Sequence, residues 1–226
     1  MGTVLLHACP LQWKEILLSR QTRGEVTRTR IIEGAGITFS DLGYTASTFE
    51  RIAKAADVKM GSVYFHFKTK LLLAQAVISE QHDRSVGIIS GQTAPRLTAT
   101  ETLVSASREM AELILSDPVV RAGLRLSLED SSLTTPSLPF YDEWSRLAAA
   151  IVQRGIDDGE FSDTMAPEKV ASTLIGCFTG VQLLSNARSN RQDLLEHLEA
   201  MWRVLLPGLT PGKSPEPALC LLKEGA

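Results

Sequence analysis

The chain has 226 residues, 44% of them hydrophobic and 22% charged, with a formal net charge of −3. This is the balance of a globular protein with enough apolar material for a sizeable core. Cys9, Cys177 and Cys220 lie far apart with no Cys/His cluster, which argues against a disulfide framework or zinc site and fits a reducing cytoplasm. No stretch approaches the roughly 20 apolar residues of a bilayer span, so no membrane partner is expected.

Residues 1–19 contain a short apolar run with no basic residue before it, and read as a disordered leader rather than a signal peptide. Ile31, Ile32, Ala35, Phe39 and Leu42 recur every three or four positions and predict a helix over 25–42, with Gly43 as its C-terminal cap. Gly34 and Gly36 lie inside it, and the sequence offers no reason for them. A short helix follows from about Thr48 to Ala56, capped by Ser47 or Thr48. After a tight break at Asp57-Val58 comes another from Met60 to Phe65. Thr69 caps a long helix from Lys70 to Ile89, and Gly91 and Pro95 then interrupt the chain. Further helices are predicted near 98–115, 118–129, 139–158, 167–188 and 192–206, with Pro118 and Pro167 in first turns. Residues 131–139 read as a loop, and the Pro/Gly-rich stretch after Leu206 as a flexible tail over 208–226. No internal repeat or strand pattern is present.

The predicted class is therefore all-α. Residues 20–70 hold nine Lys/Arg against five Asp/Glu, whereas 71–226 hold thirteen against twenty. A small basic unit joined to a larger acidic one points to an anionic partner for the first, with DNA the obvious one. Two short helices across a tight turn fit helix-turn-helix geometry, in which the second helix enters the major groove. Lys59, Met60, Gly61 and Ser62 form the exposed end of that helix, Gly61 leaving room for close approach. Val63 and Phe67 anchor it, and Tyr64 and His66 are placed to donate hydrogen bonds to phosphates. A helical hairpin within an ordinary core would show the same spacing.

The run TASTFERIAKAADVKMGSVYFHFKTKLLL (45–73) resembles the DNA-binding signature of the TetR family, and RTRIIEGAGITFSDLGYTASTFERIA upstream matches that family's first two helices. DPVVRAGLRLSLED (117–130), PFYDEW (139–144) and GCFTGVQLLSN (176–186) resemble its γ-butyrolactone-receptor branch. Two departures stand out. Met60 replaces the lysine usual before the recognition-helix glycine, and Leu71-Leu72 replace acidic residues after Lys70.

The resemblance implies an N-terminal three-helix DNA-binding domain (20–70) and a C-terminal helical ligand-binding and dimerisation domain (71–207). The implied function is a homodimeric repressor, released from a palindromic operator by a small signalling molecule such as a γ-butyrolactone, butenolide or furan. Phosphate contacts are then expected from Arg28, Thr48, Tyr64, His66 and Lys70, and base contacts from Lys59, Met60 and Gly61. Trp144 is implied to line the ligand cavity. Leu124 and Leu128 share a face of helix 118–129. Cys177 and Val181 share one on helix 167–188, with Gln182 a candidate hydrogen-bonding group. The dimer is expected to use the apolar faces of the last two long helices, including Leu184 on one and Leu194, Leu198, Met201 and Trp202 on the other, the alternative being that these faces serve only the internal core.

Other readings keep the fold but answer to an antibiotic or lipid, or make the chain a pseudo-receptor. A helical enzyme is the alternative from another class. The sequence has no GxSxG, HExxH or GxxxxGK[ST] motif and no dinucleotide fingerprint, and His7, His66, His82 and His197 are dispersed. No catalytic residue, metal site or cofactor is expected.

Overall fold

A computed structural model describes residues 10–91, 97–129 and 140–223, with side chains over 23–88, 97–129 and 142–223. Every described regular element is helical: α1 (Pro10–Ala46), α2 (Phe49–Ala55), α3 (Met60–His66), α4 (Lys70–Gly91), α5 (Ala99–Ser116), α6 (Pro118–Glu129), α7 (Phe140–Asp157), α8 (Pro167–Ser189), α9 (Leu194–Leu209) and α10 (Glu216–Leu219), closed by a 3-10 turn over Cys220–Leu222. The loop expected over 131–139 and Pro95 lie outside the described residues. Of the expected leader, residues 1–9 lie outside them too, whereas 10–19 are the first turns of α1.

Two helix starts follow the caps read from sequence. Thr48 Oγ1 accepts from the Arg51 N–H at 3.4 Å, and Thr69 Oγ1 from the Leu72 N–H at 3.2 Å. Thr98 and Glu101 form a reciprocal capping box at the start of α5. Gly43, expected to end the first helix, instead marks a kink (φ 76°, ψ 178°), beyond which α1 continues to Ala46. Leu42, expected in the core, is 38% exposed.

The apolar stripes close into two main cores. The N-terminal core joins Ile31, Ile32, Ala35 and Phe39 of α1 to Ile52 of α2 and Val63 of α3, and does not stop at residue 70. It continues through Leu73, Val77 and Ile78 of α4 and takes in Val119, Ala122 and Leu126 of α6. The two unexplained glycines of α1 are its closest contacts. A Cβ on Gly34 would lie 2.5 Å from the Ala56 backbone nitrogen, and one on Gly36 2.6 Å from Val119 Cγ2. Two positions apart on a helix, they point to opposite sides, so α1 is pressed between α2 and α6. The helical penalty of about 1 kcal/mol per glycine is offset by this close packing.

The C-terminal core is built from α5, α7, α8, α9, α10 and the closing 3-10 turn, with Val120 of α6 joining it. Leu194, Leu198, Met201 and Trp202 of α9 are buried in it, so this part of the expected dimer face serves the protomer's own interior. The expected flexible tail also needs correction. α9 runs to Leu209, and Ala218, Leu219 and Leu222 are buried against the same core. Arg108 of α5 donates to the carbonyls of Leu221 (2.8 Å) and Lys223. The Pro/Gly content over 207–217 masked the apolar run Ala218–Leu222 that follows it. α8 is long and apolar enough to cross a membrane by length and composition. Ala171, Leu174, Gln182 and Ser185 point into the protein, whereas Leu183 and Leu184 are exposed.

Candidate DNA-binding surface and ligand cavity

The turn between α2 and α3 is set by Asp57 in the left-handed region (φ 50°), a conformation aspartate tolerates better than most residues. Arg30 of α1 donates to both the Asp57 carbonyl (2.8 Å) and its carboxylate (2.9 Å), tying the turn down. Val63 and Phe67 hold α3 against the N-terminal core, as expected. Its outer side presents Lys59, Gly61, Tyr64 and Phe65, the last 74% exposed. Gly61 has no heavy atom within 4 Å of where a Cβ would stand, so internal packing does not demand glycine there. Met60 is only half exposed and packs on the core. The Tyr64 ring meets Phe49 edge-on at 5.0 Å, fixing it against α2.

Arg28 is exposed, with its guanidinium 5.4 Å from the centre of the Phe67 ring. His66 is held below the ordinary histidine pKa, first by partial burial and then by the Arg28 charge. Thr48 is exposed at the start of α2. Lys70 is placed differently from expectation. Its ammonium donates to the carbonyls of Tyr44 (2.8 Å), Thr45 (3.3 Å) and Ser47 (3.0 Å) and lies 4.4 Å from the centre of the Tyr44 ring. All three of its protons are used within the chain, where they clamp the α1–α2 turn to the start of α4.

A cavity of about 130 Å³, mostly apolar, lies between α4, α5, α6, α7, α8 and α9. Three of the expected ligand residues meet there: Leu124, Trp144 and Gln182. The other three do not line it. Leu128 is 44% exposed, while Cys177 and Val181 pack against the C-terminal core. Gln182 is 4% exposed and its side-chain amide makes no hydrogen bond with any described residue, so it stands on the cavity wall as a polar group open to a ligand. Trp202 also lines the wall, its indole N–H donating to Ser107 Oγ at 2.8 Å. The sequence reading missed Gln81 and His82 of α4 on the wall, with His82 Nε2 2.9 Å from Glu143 Oε2. A usable signal existed. Gln81, His82 and Ser85 continue the stripe of Leu73, Val77 and Ile78 at helical spacing, placing polar groups where the core should be. Among the described residues, no cluster of His, Cys, Asp and Glu could hold a metal ion.

Residues 31–77 match the model of the tetR family of bacterial regulatory proteins, and residues 97–211 match that of the tetracyclin repressor-like C-terminal domain. The chain belongs to the TetR family. Its regulators pair a helix-turn-helix with a helical effector domain, which is the order of the two cores here. One relative is the A-factor receptor protein of Streptomyces griseus, 33% identical over 196 residues, which span 86% of this chain and 68% of that protein. A crystal structure of a gamma-butyrolactone receptor, an ArpA-like protein, superposes with a TM-score of 0.76 at 27% identity, covering 88% of this chain and 96% of that one. CprB from Streptomyces coelicolor, a TetR-family protein solved in complex with its biological operator sequence, superposes at 0.74 with 28% identity and the same coverage. Within the TetR-family frame, α2 and α3 are the helix-turn-helix and the α4–α9 cavity lies in the effector half.

Proposed function

We propose that this TetR-family protein is a homodimeric repressor that leaves a palindromic operator when a small lactone of the γ-butyrolactone type enters the α4–α9 cavity. The observation that carries this reading is the mostly apolar cavity with one amide in its wall, that of Gln182, that is hydrogen-bonded to no described residue. A lactone offers that amide a carbonyl acceptor and offers Trp144 an apolar face. The volume of about 130 Å³ is near the ~150 Å³ of a cavity that holds benzene. A five-membered ring therefore fits, and a longer alkyl chain requires flexible wall residues such as Met110 and Met201 to move. The A-factor and gamma-butyrolactone receptors among the relatives support the same ligand class.

On the DNA side, Lys59, Met60 and Gly61 meet base edges, while Arg28, Thr48, Tyr64 and His66 meet phosphates. Lys70 acts through the turn it clamps. Two copies are needed to span successive major grooves, roughly 34 Å apart. The exposed Leu183 and Leu184 of α8 supply an apolar face for that pairing. α4 and α6 connect the cavity to the DNA surface. Gln81 and Leu124 line the cavity, whereas Val77 and Leu126 of the same helices sit in the N-terminal core. The ligand releases DNA by binding better to a helix arrangement in which the recognition helices are mis-spaced.

The test is fluorescence anisotropy on a palindromic duplex selected by the protein from a random pool, titrated with γ-butyrolactones of increasing alkyl length. Release is expected with the wild type and is expected to need at least tenfold more lactone with Gln182→Leu. Operator affinity indifferent to every lactone would overturn the ligand class.

A further inference from the structure

A second cleft, of about 560 Å³, lies where the end of α1, the middle of α6 and the α8–α9 corner meet. It is polar where the first cavity is apolar. Arg121 and Arg125 of α6 and Arg191 of the corner converge on it, with Asn186 and Asn190 beside them. Arg121 and Arg125 are held in place: Arg121 donates to the carbonyls of Ile114 (3.0 Å) and Leu115 (2.9 Å), and Arg125 donates to the Ser40 carbonyl (2.8 Å) and pairs with Glu129. Arg191 has no such partner. Its Nε is buried without a hydrogen bond, and none of its guanidinium protons is donated to a described residue. The one carboxylate on the cleft wall, Asp41, is exposed and makes no ion pair with these arginines.

Two features show that this arrangement costs the fold something. Burial and the charges of Arg121 and Arg125 hold Arg191 below the ordinary arginine pKa. Arg191 also follows Asn190 into the left-handed region (φ 70° after 52°), where a long side chain is strained by about 1 kcal/mol or more. A half-buried guanidinium that has no hydrogen-bond partner, is repelled by two like charges and sits on strained backbone is relieved by an anion, which meets it with the planar two-point geometry arginine favours.

We propose that this cleft is a second ligand site, separate from the apolar cavity, that binds a small oxyanion ligand of the phosphate or carboxylate type across Arg121, Arg125 and Arg191. The bound anion bridges α1, α6 and the α8–α9 corner and cancels the repulsion among the three arginines.

Isothermal calorimetry and thermal unfolding of the full chain, with inorganic phosphate or succinate titrated at constant ionic strength, test this. Saturable binding and a rise in Tm with phosphate, succinate or both are expected, and the stronger response identifies which oxyanion the cleft prefers. Arg191→Gln removes no existing hydrogen bond and should fold. It should weaken that binding about tenfold or more, while its own Tm without anion equals or exceeds that of the wild type. Arg146→Gln, an exposed arginine on α7, should bind like the wild type. No saturable binding of either anion, or equal binding by Arg191→Gln, would overturn the proposal. So would finding that Arg191→Gln chiefly changes dimer dissociation in sedimentation, since a partner's carboxylate would then be the occupant.

Discussion

Replacing Lys70 with methionine separates two roles for this side chain. Methionine keeps most of the apolar stem but removes an ammonium that donates to three carbonyls of the α1–α2 turn and stands over the Tyr44 ring. Hydrogen bonds to a charged group contribute about 1.5–3 kcal/mol each when well buried. These three share one partly exposed donor, and the Thr45 carbonyl can be rehydrated. With about 0.5–1 kcal/mol for the ring contact, the expected loss is about 2–4 kcal/mol. For a chain of this size that lowers Tm by roughly 5–15 °C, measured by circular dichroism. Operator affinity should fall because the turn positioning α2 loosens, yet the slope of log K against log salt should not change. A direct phosphate contact predicts the reverse: a normal Tm and a slope reduced by about 0.9 per protomer. That pair of results would refute the clamp.

Because burial and the Arg28 charge hold His66 below its usual pKa, the free protein favours its neutral form, and a neighbouring phosphate would draw a proton onto it. Operator affinity should therefore rise as pH falls from 7.5 towards 6, and His66→Gln should flatten that dependence in anisotropy titrations. Gly36→Ala puts a methyl 2.6 Å from Val119 Cγ2 and 2.8 Å from its Cα; urea unfolding should show a loss of about 1–3 kcal/mol. Glu160 accepts from the Ala99 and Thr100 N–H groups at 2.9 and 3.0 Å, capping α5 from a distant segment. Burial acts to raise its pKa, but these bonds, the Thr100 hydroxyl and Lys213 outweigh it and lower the value. Glu160→Gln should cost about 1 kcal/mol at pH 7. With the folded pKa depressed, the gap from wild type should be full above about pH 4.5 and close as acid protonates the wild-type carboxylate.

Local chemistry made most of the helices legible. Apolar spacing placed α2 and α3, and Thr48 and Thr69 marked their own caps, because these signals act within one or two turns. Gly34 and Gly36 were opaque because their reason lies in Ala56 and in Val119, the latter more than eighty residues away. Of the expected ligand residues, Trp144, Leu124 and Gln182 line the cavity, whereas Leu128, Cys177 and Val181 do not. A helical face about 100° wide cannot distinguish lining a void from packing beside it. The α9 stripe was assigned to a dimer because periodicity reveals an apolar face without saying what covers it. Lys70 is expected on a DNA phosphate, since no local pattern reveals that three carbonyls of the α1–α2 turn converge on it.

The membership of α6 in both cores bears on how portable the DNA reader is. Val119, Ala122 and Leu126 complete the N-terminal core, while Leu124 forms part of the effector wall. A fragment cut after α4 would leave the seats of those three side chains open to water, so the reader is not a detachable cassette. Grafting it onto a foreign sensor would require α6 to travel with it or the host to supply a matching ridge. The same shared helix should make heat unfold both halves in a single transition.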